Sequence, residues 1–437
     1  MRASGVATTP EVISFTSTYR AGTTVVTSNP ANVTVTAVQM NSLLNYNAVD
    51  NAAFLTYVMN NPAVSGVNVS MDWASVEGSG CNGTCVGQDT FANFDSAVIA
   101  PLFAQSGYTK KINIIVQGVS GGCALPPANC GNSSTPDYVF STDWATNVNN
   151  TNTTPIPLHV WSDCGYGISN APGFPAVVEP AFYVAYQGFM KRVLNWYSSS
   201  STLAPYIGYI RFGLSAGGEV YPFCEGPTRY SHNDWLSYVD SMDKYVSGLH
   251  PSIQLMTSIN QTYFLSDFSY ADAEASFAVT YNIGFGSQGL QYSDTETNGS
   301  EDSCTSQSST SDWCWLFNGP PVPSVPLELQ TTLLSDPGYP FDGLTSNTGS
   351  LAQLIPFALS NHAEIFELYA YDMLYAFDNG TGPRGSATAS YCNLNNADTD
   401  YCSNGVRTYP SCYSTLIQQA ENGVMPTYQA NGCTPNQ

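Results

Sequence analysis

Two glutamates, Glu219 and Glu328, are each associated with an apolar run that is typical of a β-strand. Glu219 ends the segment Y-I-G-Y-I-R-F-G-L-S-A-G-G-E, and Glu328 lies within V-P-L-E-L-Q. An acid in apolar surroundings is costly unless it is paired or hydrogen-bonded. Two carboxyls that face one cavity can cleave a glycosidic bond, because one protonates the departing oxygen while the other attacks the anomeric carbon or activates water. The pair therefore predicts sugar chemistry.

Three further residues are predicted to support these acids. Arg211, in the same run as Glu219, is the best local cation to keep one partner ionised, and Tyr281 is predicted to donate a hydrogen bond to Glu328. Glu367 has a similar apolar setting in I-F-E-L-Y. Three interpretations of it stay open, as a catalytic partner, an acceptor for a sugar hydroxyl or a structural acid, and the second is favoured.

Aromatic side chains could supply stacking faces for sugar rings. Because aromatic residues make up 13% of the chain, many of them must instead lie in the core. Trp73, with Asp72 and Glu77, follows a predicted strand and is interpreted as a rim or structural residue rather than a catalytic one. The aromatic candidates for substrate binding are Trp73, Trp161, Tyr221, Phe285, Tyr369 and Tyr371.

The elements that must position these residues alternate between strands and helices. Period-two and β-branched runs predict eight strands, at 33–40, 64–73, 111–119, 206–215, 253–259, 276–285, 325–330 and 363–370. Helical spacing of apolar residues predicts helices that include 179–197, 233–249 with Asn233 as N-cap, and 350–362. Eight β/α units in order predict an α/β fold, a closed parallel (β/α)8 TIM barrel. A doubly wound open sheet is disfavoured, since no Gly-rich phosphate loop opens a helix.

The predicted barrel determines where the two glutamates lie. Reacting groups of such barrels lie at the C-terminal ends of the strands, so Glu219 after strand four and Glu328 near the end of strand seven are predicted to face one mouth. Residues 1–379 are assigned to the barrel, with a short N-terminal extension and long disulfide-stapled loops. Residues 380–437, with four Cys and a short helix near 413–421, are predicted to form a Cys-rich, disulfide-tied tail packed on the barrel.

The charge of the chain disfavours several kinds of partner. The net charge is −22, from 33 acidic and 11 basic residues, which disfavours nucleic acids and anionic polysaccharides. No run of about 18 apolar residues is present, so no membrane span is predicted. The expected partner is a neutral carbohydrate.

Cysteines and glycosylation sequons predict an extracellular protein. The twelve Cys include close pairs among Gly, Ser, Asn and Thr, which is typical of loop disulfides. Nine N-x-[ST] sequons predict N-linked glycans, although Asn68 lies in a strand-like run and is a doubtful acceptor. The sequons are at Asn32, Asn68, Asn82, Asn132, Asn149, Asn152, Asn260, Asn298 and Asn379.

A serine hydrolase is an alternative that the sequence disfavours. Ser215 lies in G-L-S-A-G, which matches a nucleophile elbow, with Asp342 and His362 as possible triad partners. This interpretation leaves both glutamates unexplained, and A-G-G-E-V-Y-P is a poor start for the helix that must follow the serine. The four His are scattered, without H-E-x-x-H spacing, so neither a metal site nor a cofactor is predicted.

The arrangement resembles glycoside hydrolase clan A, over about residues 35–380 and chiefly in strand order. Members of that clan carry an acid/base Glu after strand four and a nucleophilic Glu after strand seven, so the resemblance implies these roles for Glu219 and Glu328. The segment G-V-N-V-S-M-D-W-A-S-V-E, followed by T-F-A-N-F-D, is similar to strand two of family 42 beta-galactosidases. Clan members usually have Asn before the strand-four Glu, where this chain has Gly218.

Two segments are also similar to beta-amylases. G-L-S-A-G-G-E-V-Y-P resembles their strand-four motif and P-L-E-L-Q their strand-seven glutamate segment, and those enzymes invert. The sequence thus predicts a secreted, metal-independent glycoside hydrolase that acts on a neutral oligo- or polysaccharide with retention. The alternatives are an inverting beta-amylase-like hydrolase and an inactive barrel that serves as an extracellular carbohydrate-binding or structural glycoprotein.

Overall fold

Alternating apolar runs and helical patterns in this sequence form an eight-stranded barrel with helices around it. The structure is a computed structural model. It describes residues 11–15, 18–21, 24–27, 31–35, 39–44, 59–77, 88–107, 109–119, 134–136, 139, 160–161, 174–175, 177–215, 218, 220, 230–249, 251–259, 269–290, 323–331, 349–369, 372 and 412–421.

The described strands and helices follow each other in this order along the chain. The strands are β1 (Glu11–Phe15), β2 (Thr18–Ala21), β3 (Thr24–Thr27), β4 (Ala31–Val35), β5 (Gln39–Leu44), β6 (Gly66–Asp72), β7 (Lys111–Gln117), β8 (Val160–Trp161), β9 (Phe174–Pro175), β10 (Ile207–Phe212), β11 (Gln254–Ser258), β12 (Gly284–Leu290), β13 (Leu327–Thr331) and β14 (Ile365–Tyr369). The α-helices are α1 (Trp73–Glu77), α2 (Phe91–Phe94), α3 (Ala100–Ser106), α4 (Pro180–Asn195), α5 (His232–Gly248), α6 (Ser269–Thr280), α7 (Leu351–Ser360) and α8 (Cys412–Glu421).

Eight parallel strands close the barrel. Their order is β5, β6, β7, β10, β11, β12, β13 and β14, and β14 pairs with β5 again. Parallel neighbours in sequence order require crossover connections, which helices such as α5 and α6 provide. The predicted TIM-barrel-like α/β fold is confirmed, and its interior is available for side chains from all eight strands.

Two of the eight predicted strands were placed wrongly. The β-branched run at 33–40 overlaps β4, which pairs antiparallel with β1 outside the barrel, and the first barrel strand is β5. The first half of the predicted sixth strand, 276–285, is helical, because Ala271, Ala275 and Ala278 are buried at helical spacing on α6. The true sixth strand is β12, with the sequence G-F-G-S-Q-G-L.

Strand β12 was not predicted because its glycines lower β-strand propensity, but packing requires two of these glycines. A Cβ on Gly284 would lie 2.2 Å from Met256 Sδ, and one on Gly286 would lie 2.5 Å from Glu328 Cβ. Both positions therefore accept only glycine without a shift of their neighbours. This strand passes close to Glu328, so the glycines shape the surroundings of a predicted catalytic residue.

Helix α4 covers the barrel through an aromatic face. Phe182, Tyr186 and Phe189 recur at helical spacing, and their ring centroids lie 5.9, 5.4 and 5.4 Å from that of Trp73. Helix α5 begins at His232. Its N-cap is Ser231, which forms a capping box with Asp234, and not the predicted Asn233. These helices fix the backbone that leads into β10 and β11.

Helix α8 is the described part of the segment 380–437. It packs against α7 and β5, with Leu416, Ile417 and Ala420 buried. The division of the chain at residue 380 stays a prediction, and the predicted disulfides fall outside the described residues. No helix in the described ranges is both long and apolar enough to cross a membrane.

Candidate active site

Glu328 lies inside the barrel. It is three residues before the end of its strand, β13, whereas the predicted strand 325–330 ends two residues after it. It is the second residue of β13, whose five residues are all buried, and it is 1% exposed. Its Oε1 accepts a hydrogen bond from Arg211 Nη1 at 2.6 Å. Its Oε2 is buried and has no hydrogen-bond partner in the described part of the chain. One carboxylate oxygen is thus held by a cation, while the other accepts no hydrogen bond from a described donor.

Glu367 shares the same arginine. It lies in the middle of β14 and is 0% exposed. Arg211 Nη1 donates to Glu367 Oε2 at 3.0 Å, and the Tyr209 hydroxyl donates to Glu367 Oε1 at 2.6 Å. Arg211 therefore bridges two buried carboxylates, and both oxygens of Glu367 are occupied.

Two asparagines extend this cluster across the barrel. Asn68 Nδ2 donates to the Tyr209 hydroxyl at 2.8 Å, and Asn113 Nδ2 donates to Asn68 Oδ1 at 2.7 Å. The backbone N–H of Tyr209 donates to Asn113 Oδ1 at 3.2 Å, and Gly208 leaves room for that oxygen, which a Cβ would approach to 2.2 Å. We call these six side chains the interior polar network: Asn68, Asn113, Tyr209, Arg211, Glu328 and Glu367.

Burial and charge act in opposite directions on the network. Burial first, and then the charge of Glu367, raise the pKa of Glu328 well above its usual range, although Arg211 opposes them. Burial would lower the pKa of Arg211, but the charges of Glu367 and Glu328 prevail and raise it, so the guanidinium stays protonated. Burial and the same two acids raise the pKa of Tyr209, which keeps its hydroxyl as a donor.

Glu219, the other predicted catalytic residue, lies outside the described residues, as do Tyr221 and Tyr371. Its neighbours show why glycine precedes it. Gly218 has φ of 79°, and a Cβ there would lie 2.8 Å from Ile115 Cγ2. Val220 forms a parallel bridge with Ile259, just beyond the end of β11. A residue with a Cβ at this left-handed position would require Ile115 to move.

Two predicted binding residues lie elsewhere. The Tyr281 hydroxyl donates to Asp240 Oδ1 at 2.8 Å, and not to Glu328, because Tyr281 follows α6 and precedes β12 at the N-terminal end of the barrel. Trp73 is 0% exposed among the aromatic residues of α4, and its indole N–H donates to Glu77, so it has no face for a sugar ring. Phe285 is likewise 0% exposed.

The remaining aromatic predictions are untested by side-chain contacts. Trp161 forms strand β8 with β9 as its partner, and only its backbone is described. Tyr369 is the last residue of β14 and is partly buried, so it lies at the C-terminal end of the barrel near Glu367 in sequence. A role for Arg211 in contacting substrate also stays a prediction, because its described contacts are to the two acids.

The serine triad is not supported by the fold. Ser215 follows β10 at the C-terminal end of the strands, whereas His362 is exposed and precedes β14 at their N-terminal end. Parallel strands place these two positions at opposite ends of the barrel, and Asp342 lies outside the described residues. No three His, Cys, Asp or Glu side chains of the described ranges come together as metal ligands would.

Tyr209, Asn68 and Asn113 belong to the network but are not among the site residues predicted from the sequence. Tyr209 stands two residues before Arg211, and each asparagine interrupts an apolar strand, in G-V-N-V-S and K-I-N-I-I-V. Since alternate strand residues face the same side, polar residues at inward positions of buried strands were the available signal.

Comparison with known proteins gives likeness of fold only. No protein family's sequence profile matches this chain, and no curated protein sequence matches it. The solved structures that it resembles include the catalytic domain of a beta-amylase from Paenibacillus polymyxa, at 10% identity over 78% of this chain and 94% of that one, with a TM-score of 0.48.

Two other similar structures are also carbohydrate-active enzymes by name. One is a glycosylated endo-beta-1,4-xylanase of glycoside hydrolase family 10 from Gloeophyllum trabeum, at 10% identity over 76% of this chain and 84% of that one, with a TM-score of 0.41. The other is a beta-galactosidase from Marinomonas ef1, at 8% identity over 76% of this chain and 54% of that one, with a TM-score of 0.42. The resemblance to family 42 in particular is not confirmed, and residue roles rest on the contacts described above.

Proposed function

We propose that this protein is a glycoside hydrolase in which Glu328 and Glu219 are the two catalytic carboxyls. The observation that carries the proposal is the state of Glu328, whose Oε1 is held by Arg211 at 2.6 Å while Oε2 has no partner. A carboxylate that attacks a sugar needs one oriented oxygen and one that is available to the anomeric carbon. Glu367 differs, because both of its oxygens accept hydrogen bonds.

The proposed reaction has two steps and retains configuration. Glu219 gives its proton to the departing glycosidic oxygen as the bond to the anomeric carbon breaks, and Glu328 Oε2 bonds to that carbon. Glu219, now ionised, takes a proton from water, which displaces Glu328 and restores both groups. Inversion is the alternative, in which Glu328 activates the water directly and no covalent intermediate forms.

The substrate in this proposal is a neutral oligo- or polysaccharide. The net charge of −22 disfavours anionic chains and nucleic acid. We also propose that the protein acts outside the cell and carries N-linked glycans, on the basis of its twelve Cys and its sequons. In the folded protein Asn68 is not accessible to glycosylation, since it is 0% exposed and bonded inside the barrel.

The decisive experiment compares three Glu→Gln variants on a panel of aryl glycosides and neutral polysaccharides. Glu328→Gln and Glu219→Gln should each lower kcat by about 10²- to 10⁴-fold, because each removes a carboxyl that reacts. Glu364→Gln is the matched control, since Glu364 is exposed and precedes β14 at the opposite end of the barrel. Activity equal to wild type in Glu328→Gln would exclude Glu328 as nucleophile or base. Proton NMR of the first-formed anomer separates retention from inversion.

A non-catalytic carbohydrate-binding barrel is the second candidate. The burial of Glu328 and Glu367, at 1% and 0% exposure, favours it, because buried ion pairs also occur as structural elements. Saturable binding of an oligosaccharide by calorimetry, with no turnover of any member of the panel, would support this candidate over the hydrolase.

A further inference from the structure

The interior polar network contains more acid than base. Arg211 Nη1 donates to Glu328 at 2.6 Å and to Glu367 at 3.0 Å, and all three side chains are 2% exposed or less. Two ionised carboxylates beside one guanidinium would leave a net negative charge away from water. Such a charge is costly to bury, and two acids that share a site avoid the cost by keeping one proton between them.

Hydrogen bonds distinguish the two acids. Glu367 accepts from Tyr209 on Oε1 and from Arg211 on Oε2, and the Tyr209 hydroxyl is oriented by Asn68. Each oxygen of Glu367 thus already accepts a hydrogen bond, and a proton added to Glu367 would have to displace one of these donors. Glu328 Oε2 faces no donor, so a proton can be placed there without displacing one.

The other groups around Glu328 do not offset this asymmetry. On one neighbouring strand, β12, the residue that pairs with Glu328 is Gly286, and on β11 the inner residues are Met256 and Ser258, which carry no charge. The charged groups that act on Glu328 are Glu367 and Arg211, and Glu328 in turn acts on the Tyr209 hydroxyl. The raised pKa of Glu328, caused by burial and by Glu367, agrees with this arrangement.

We propose that Tyr209 and Glu367 are positioning residues that keep a proton on Glu328 Oε2 in the resting protein. The consequence for catalysis rests on the proposed function. In the proposed reaction, Glu328 must release this proton to solvent before Oε2 can attack the anomeric carbon. Tyr209 and Glu367 therefore set the lower pH limit of activity.

The first test follows the proton directly and needs no turnover. Infrared difference spectra between each protein and the same protein with Glu328→Gln isolate the carbonyl stretch of protonated Glu328. In the wild type this band should be present at mildly acidic pH and disappear as the pH rises. In Glu367→Gln it should disappear about 1 pH unit or more lower, because the neighbouring negative charge is gone.

Two tyrosine variants complete the test. Tyr209→Phe removes the donor to Glu367 and makes Glu367 the better proton acceptor, so the Glu328 band should shift in the same direction by a smaller amount. It also keeps both acids and Arg211, and it remains informative if Glu367→Gln does not fold. Tyr186→Phe is the control, because Tyr186 is 0% exposed, lies outside the network and has no partner for its hydroxyl in the described residues. It should leave the band unchanged.

The outcomes separate this inference from the proposed function. A Glu328 band that titrates identically in wild type, Glu367→Gln and Tyr209→Phe would overturn the inference whether or not the protein cleaves sugars. A shifted band in a protein with no turnover would support the inference and count against the hydrolase. With turnover, the acid limb of kcat/KM in Glu367→Gln should move to lower pH together with the band.

Discussion

Buried acids occur in two places in this molecule, and their partners differ. Inside the barrel, Glu328 and Glu367 share Arg211. Between α5 and α6, Asp243 is 0% exposed and has no hydrogen-bond partner for either oxygen in the described residues, and Glu274 is 2% exposed with one bond, from Trp235 Nε1 at 2.6 Å. We call Asp243 and Glu274 the helix-layer acids. Burial of an acid alone therefore does not mark a reactive site in this fold, since both places have it.

The difference is in how each place tolerates its charge. Burial first, and then the charge of Asp240, raise the pKa of Asp243, and burial raises the pKa of Glu274 against the effect of the Trp235 hydrogen bond. No cation is among these causes, so the helix-layer acids favour being neutral. In the barrel, Arg211 contacts both acids and permits one of them to be ionised. That property suits catalysis and is missing from the helix layer.

The largest expected effect comes from removing the cation. Arg211→Met should lower the free energy of unfolding at neutral pH by about 3 to 5 kcal/mol, because both carboxylates lose the guanidinium that they contact. Urea unfolding measures it. Arg192→Met is the matched control, since Arg192 pairs with Glu77 and Asp89 but its side chain is 26% exposed, and its loss should be smaller. Equal losses in the two variants would show that Arg211 does not contribute more to stability than the partly exposed Arg192.

A second, smaller effect tests the helix-layer acids. The folded-state pKa of Asp243 lies above its unfolded value of about 3.9, so its contribution to stability is fully present below that value and is lost as the pH rises through the folded-state pKa. Asp243→Asn removes this loss. Over that window the stability difference between Asp243→Asn and wild type should change in favour of the variant by up to about 1.4 kcal/mol per pH unit. Parallel pH profiles of the two proteins would contradict the assignment.

The smallest effect concerns the tyrosine that the sequence places beside Glu328. Tyr281→Phe removes a partly buried hydrogen bond to Asp240, which should cost about 1 kcal/mol or less of unfolding free energy and leave kcat unchanged. Calorimetric unfolding and a single kinetic comparison are sufficient. A large loss of activity would restore Tyr281 to the site and weaken the contrast between the barrel interior and its surroundings.

The fold could be predicted from the sequence because strands such as β7 and β10 are continuous apolar runs. Strand β12 could not, since packing against Met256 and Glu328 requires glycines that lower β-propensity. Within the site, Glu328 and Arg211 were found because charge is rare in apolar runs. Tyr209 and Asn113 were missed because their importance comes from hydrogen bonds between strands that lie 45 to 158 residues apart in sequence. The Tyr281 assignment was wrong because a boundary shifted by a few residues moves a side chain to the other end of the barrel.

The N-V-S triplet at Asn68 is a glycosylation signal whose acceptor nitrogen, in the folded chain, donates to Tyr209. An oligosaccharide on that nitrogen and a closed barrel exclude each other, because the side chain is 0% exposed. In a glycosylating host, sugar transfer to this asparagine therefore competes with the pairing of β6 with its neighbouring strands. Molecules that are glycosylated at Asn68 cannot close the barrel, and the yield of folded protein would depend on the host as much as on the sequence.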